Sequence, residues 1–127
     1  MPTFKKHERL CSKKQLDQLF AEGKSVLMYP IKLTFLELKL ENLSPAQVVF
    51  IVPKKRFKKA NKRNLIRRRM REAYRMVKDD FYIRLNNNNL QAIISISYIA
   101  NDLLSYNTLK EQILKGLNTV IRPLHKK

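Results

Sequence analysis

The chain has 127 residues, 27 Lys and Arg against 10 Asp and Glu, a formal net charge of +17 and 44% hydrophobic residues. The length suits one domain with a real core and is short for two, and the hydrophobic content speaks for a folded protein rather than a basic disordered tail. Such a positive charge on a small body favours a polyanion, nucleic acid before an anionic membrane surface, and no apolar run approaches the roughly 20 residues needed to span a bilayer.

In chain order, residues 1–11 read as a basic, irregular, flexible end. They lack an apolar stretch before Leu10 that would mark a secretory signal, so the cytoplasm is the expected compartment. Cys11 is the single cysteine, which excludes an internal disulfide and a Cys-based zinc cluster, and reads as a small half-buried side chain. The only histidines, His7 and His125, lie in basic terminal segments and give Cys11 no obvious catalytic partner. Ser12 and Gln15 fit a capping box, Leu16, Leu19 and Phe20 follow at helical spacing, and Gly23 can end the helix as a left-handed residue, so the first helix spans Lys13–Glu22.

Residues 24–30 read as a connector. In the next stretch Ile31, Leu33 and Phe35 alternate with Lys32 and Thr34, after which Leu36, Leu38 and Leu40 alternate with Glu37 and Lys39. This is a strand whose change of parity predicts either a bulge near Phe35 or two differently packed halves. After a turn at residues 41–46, the β-branched run QVVFIV at residues 47–52 predicts a central buried strand, closed by Pro53.

Residues 54–78 carry 13 of the 27 Lys and Arg residues and one acid, Glu72. Residues 54–60 form a basic loop around Phe57. From residue 61 to 78, Ile66, Met70, Ala73, Tyr74 and Val77 make one apolar stripe, and Asn64, Arg67, Arg68, Arg71, Arg75 and Lys78 gather opposite it. Arg63, Arg67, Arg71 and Arg75 recur every four residues, a like-charge spacing that weakens an isolated helix by about 0.2–0.5 kcal/mol per pair. A partner outside the helix should compensate. The planar fork of Arg suits phosphate, and phosphate contacts position a protein without reading base sequence.

Asp79 and Asp80 should end this helix in a solvated turn, the stronger reading over a metal pair, and Asn86 to Asn89 should form a polar loop. Residues 91–98 form a strand with Ala92, Ile94, Ile96 and Tyr98 on one face, the other face being partly apolar through Ile93 and Ile99. A last helix runs over residues 108–121, with Asn107 as N-cap, Leu109, Ile113, Leu117, Val120 and Ile121 as its stripe and Pro123 as its stop; residues 122–127 are a basic, flexible end. Antiparallel strands with helices on one face predict an α+β, two-layer α-β sandwich in the order α-β-β-(β)-α-β-α, formed by a single domain over residues 1–127.

A strand ending at Lys54 and Lys55, a basic loop and then KRNLIRRRMREAYR resemble the signature of the bacterial ribonuclease P protein component. The stretch RLCSKKQLDQLFAEGKS is similar to that family's first helix and following turn, and the late strand and terminal helix agree in order and spacing, so the resemblance covers nearly the whole chain. Arg63 and Asn64 match the first two places of the family's Arg-Asn-Arg hallmark, Arg67, Arg68 and Arg71 match later basic places, and Leu65 stands where the second Arg is usual.

The resemblance implies a left-handed β-α-β crossover, against the general right-handed preference. It implies that Lys54, Lys55, Arg63, Asn64, Arg67, Arg68 and Arg71 hold a catalytic RNA subunit, and that a cleft beside the first helix binds the single-stranded 5′ leader of precursor tRNA through Leu16, Phe20, Lys32 and Thr34. Helical spacing alone makes Phe20 a core residue, whereas the resemblance exposes it in the cleft; both readings stay open here. As the accessory subunit of an endoribonuclease the protein would supply no catalytic residue and no metal ligand, with magnesium bound mainly by the RNA. The implied partners are the catalytic RNA and precursor tRNA, with no membrane and no obligate protein partner. The alternatives are a structural, ribosome-associated RNA-binding protein without a processing role, and a DNA-binding protein reading a major groove with the basic helix.

Overall fold

The computed structural model describes residues 4–40 and 44–125, with side chains described as far as residue 121. After a short 3-10 turn at Lys6–Glu8 come α1 (Lys13–Glu22), β1 (Lys24–Met28), β2 (Ile31–Glu37), β3 (Ala46–Ile51), α2 (Ala60–Asn87), β4 (Ala92–Tyr98) and α3 (Tyr106–His125). The strands form one mixed sheet in the order β1-β2-β4-β3. β1, β2 and β4 are antiparallel neighbours, and β3 runs parallel to β4 with α2 as the crossover between them. The α+β class holds, with three α-helices and four strands among the described residues.

Several expectations change. Residues 24–28 are a strand, not a connector: Lys24 to Met28 pair residue by residue with Phe35 to Ile31. β2 carries no bulge, since its pairing with β4 is unbroken from Ile31–Tyr98 to Glu37–Ala92. The change of parity instead reflects burial on both faces. Ile31, Leu33 and Phe35 join the main core, while Leu36 packs on a second cluster of Leu10, Leu19, Leu40 and Ile93. β3 is an edge strand rather than a central one, its outer side met by the Leu10 amide, which donates to the Val48 carbonyl at 3.0 Å.

The helices also lie on both faces. α2 and α3 cover the main core; α1 packs on β2 and β4 from the other side through Leu19, with Leu16 partly buried beside it. At the end of α1, Ser12 accepts from the Gln15 amide at 3.2 Å as expected. Gly23 is extended (φ −72°, ψ 162°), not left-handed. Its need for glycine is steric: a Cβ there would stand 2.4 Å from the Leu19 carbonyl oxygen and 2.9 Å from that of Phe35.

α2 runs nine residues past the expected end at Lys78 because Phe81 and Leu85 continue the buried stripe, and Asp79 and Asp80 sit exposed within it. Asp80 accepts from Arg84 at 3.1 Å, one turn on. The asparagine tract is the helix stop. Asn89 takes a left-handed φ of 54°, its amide donates to the Asn86 carbonyl at 3.1 Å, and the Leu90 amide donates to Leu85 at 2.9 Å, closing a Schellman motif over two buried leucines. α3 begins two residues early, with Ser105 rather than Asn107 accepting the capping bond from Thr108 at 3.2 Å, and it runs through Pro123. The N-terminal segment from Phe4 packs on the body of the protein: Glu8 is buried, and the Phe4 ring packs edge-on against Phe50 and Tyr74 at 5.8 and 6.0 Å.

Candidate RNA interface

β3 ends at Ile51, and the chain turns sharply at Pro53, whose carbonyl accepts from the amides of Arg56 and Phe57 at 3.2 and 3.3 Å. Phe57 then buries its ring against Tyr98, 5.8 Å between centroids, and Arg56 donates to the Asn101 side chain at 2.9 Å. With these residues anchored inward, Lys54, Lys55, Lys58 and Lys59 stand exposed. α2 begins at once, with no acid in its first turn and no side chain capping its amides, so the positive end of its dipole adds to the lysines.

Asn64 and Arg68 are exposed; Arg67 is half-buried and donates to the side-chain oxygen Oδ1 of Asn64 at 2.8 Å. Arg63 is half-buried and donates from Nη1 to the carbonyls of Phe57 and Lys58 at 2.9 and 2.8 Å. Leu65, in the place of the usual second Arg, is half-buried. Arg67 and Arg71 border a groove of about 210 Å³ together with Arg9, Cys11, Val49 and Phe50. Arg9 carries no signal in the sequence, because residues 1–11 have no periodicity to place them; its link to Val48 sets it beside α2. Cys11 is exposed, not half-buried.

Two cations of α2 have other duties. Arg75 pairs with Glu72, whose carboxyl its hydrogen bonds hold below the ordinary carboxylate range. Lys78, expected on the cationic face, is buried and paired with Glu8.

The second candidate surface is the sheet face under α1. Leu27 of β1, Lys32 of β2, Ser97 of β4 and Ile51 of β3 lie side by side in register, with Leu27 69% exposed and Lys32 exposed. Phe20 projects from α1 with 54% of its surface open, which decides between its two readings in favour of exposure. Leu16 is half-buried in the cluster beneath α1. Thr34 is buried and its hydroxyl is bonded to that of Ser25 at 3.0 Å, so it belongs to the floor beneath the surface. Leu27 and the exposed Tyr29 were missed because the segment carrying them read as a connector.

The family model for ribonuclease P matches residues 4–122. The chain belongs to the ribonuclease P protein family. It is 30% identical to the ribonuclease P protein component of Porphyromonas gingivalis, over 91% of this chain and 86% of that one. It is 30% identical to the component of Chlorobium phaeobacteroides, over 93% and 88%. Its fold superposes on the ribonuclease P proteins of Staphylococcus aureus (TM-score 0.68, 17% identity, 89% and 94% covered) and Thermotoga maritima (TM-score 0.65, 21% identity, 88% and 96% covered).

Family membership makes the chain a ribonuclease-associated subunit that works with the ribonuclease P RNA in processing the 5′ end of tRNA. No described helix is long and apolar enough to cross a membrane. Among the described residues no three His, Cys, Asp or Glu side chains cluster as a metal site.

Proposed function

We propose that this protein grips the ribonuclease P RNA with the loop at residues 54–59 and the first three turns of α2, and holds the single-stranded 5′ leader of precursor tRNA on the sheet face beside α1. The observation that carries this reading is the exposure of Phe20 on α1, the helix packed on the sheet face that also carries Leu27, Lys32 and Ser97, in a sheet whose edge strand leads into the lysine loop. An exposed aromatic offers a stacking platform that tolerates any base, and the exposed Lys32 on the same sheet face suits a leader phosphate. Lys54, Lys55, Asn64, Arg67, Arg68 and Arg71 suit phosphates of a folded RNA. Hydrolysis then belongs to the RNA and its magnesium ions, and the protein screens RNA charge and positions the leader. The cytoplasm is the fitting compartment for such work.

The test is reconstitution with ribonuclease P RNA and precursor tRNA at low magnesium. The expected result is faster cleavage than by RNA alone, with the gain largest for substrates that carry a leader. No gain, together with equally tight binding to unrelated RNAs, would favour a purely structural RNA-binding role.

A further inference from the structure

Arg63 matches the first position of the hallmark, yet its guanidinium turns back toward its own chain. Both hydrogens of Nη1 are directed at consecutive carbonyls, those of Phe57 and Lys58, where the loop enters α2. We propose that Arg63 is a positioning residue: it braces the loop at residues 54–59 so that Lys54, Lys55, Lys58 and Lys59 form one phosphate-binding surface before any RNA arrives. The partner in this statement rests on the RNA-binding reading above; the brace itself does not.

The charge pattern gives the brace its purpose. From residue 54 to 71 there are eleven Lys and Arg residues and no acid, so mutual repulsion works to splay the loop in the free protein. Its remaining fastenings are the turn at Pro53, the buried Phe57 ring and the bond from Arg56 to Asn101. All three hold the residues before Lys58. Among the described residues, Lys58 and Lys59 are held from the other side only by the start of α2, which has no capping side chain. Arg63, one turn into the helix, spans that junction. A charge-assisted bond to each of two carbonyls is stronger than a neutral one, and the planar guanidinium fixes its direction in a way that an ammonium on a flexible stem cannot.

The experiment compares wild-type protein with Arg63→Ala and Arg63→Lys by hydrogen exchange of the free protein and by the salt dependence of binding to ribonuclease P RNA. In both variants the amides of Arg56, Phe57 and Lys58 should exchange about tenfold faster, as expected for loss of charge-assisted bonds, while those of β4 stay unchanged. The log-log salt slope should fall by more than the roughly 0.7–0.9 that one lost phosphate contact removes. The brace is overturned if Arg63→Lys behaves as wild type, if loop exchange stays unchanged in Arg63→Ala, or if β4 accelerates equally. Salt-independent binding by the wild-type protein would instead sink the RNA-binding reading, leaving the exchange result to judge the brace.

Discussion

Glu8 and Lys78, 70 residues apart in sequence, form a buried ion pair that fastens the N-terminal segment to the middle of α2. The Lys78 ammonium also lies 5.1 Å from the centroid of the Tyr82 ring and 5.8 Å from that of Phe4, and Tyr74 donates to Tyr82 at 2.9 Å. Burial acts to raise the Glu8 carboxyl, but hydrogen bonds from the Lys5 amide, Lys78 and Tyr82 outweigh it and hold the group below its ordinary value.

Glu8→Gln should destabilise the protein by about 3–5 kcal/mol, because it strands a buried ammonium. Urea unfolding at neutral pH measures this, and the joint change Glu8→Leu with Lys78→Met should recover most of the loss. The pH dependence has a definite sign. The folded-state value lies below the reference of 4.5, so the stabilisation is complete above that pH and is lost as pH falls through the lowered folded value. Glu8→Gln should therefore flatten the acid limb of the stability curve and leave the profile above it parallel to wild type.

Replacing Arg67, Arg68 and Arg71 together by Ala should lower the salt slope of RNA binding by about two to three, at roughly 0.7–0.9 per phosphate. The fold should persist, since none of the three belongs to the core. Filter binding over a salt series, with circular dichroism as the folding check, gives the answer.

Phe20→Ala should change stability by less than about 0.5 kcal/mol, as for an exposed position. It should weaken binding of leader-bearing precursor tRNA by about 1–3 kcal/mol, the range for one base stacked on an aromatic ring. Mature tRNA, which has no leader, is the control and should bind the variant as it binds wild type.

Gly23→Ala should destabilise the protein by about 1–3 kcal/mol, because its Cβ would meet two backbone oxygens that have no side-chain freedom to yield. α1 would have to lift from β2. Leader affinity should fall with stability in this variant, in contrast to Phe20→Ala, and comparing the two separates the placement of α1 from the contact made by Phe20.

The sequence made the helices legible because each apolar stripe is long and regular: Ile66, Met70, Ala73 and Tyr74 are all fully buried. It misjudged the end of α2 because an acidic pair looks like a stop, whereas burial of Phe81 and Leu85 outweighs two solvated carboxylates. β1 was hidden because its exposed residues, Lys24, Ser25 and Leu27, follow no alternation, and Gly23 with Pro30 suggested a loop. Strand order could not be read locally, since it depends on which partner each edge meets. At the candidate site the cationic types were visible but their directions were not. Arg63, Arg68 and Lys78 share one chemistry on one helix, yet the first faces its own loop, the second faces solvent and the third is buried.

The strand order carries a consequence for synthesis on the ribosome. β4 lies between β2 and β3, so a nascent chain that has emerged only through α2 holds a β1-β2 hairpin, a solitary β3 and the whole arginine helix with no sheet to rest on. The core closes only when residues 92–98 arrive, through pairings distant in sequence that are slow to form. Until then the most cationic part of the chain is already outside the exit tunnel, beside ribosomal RNA, before the fold that will position it exists.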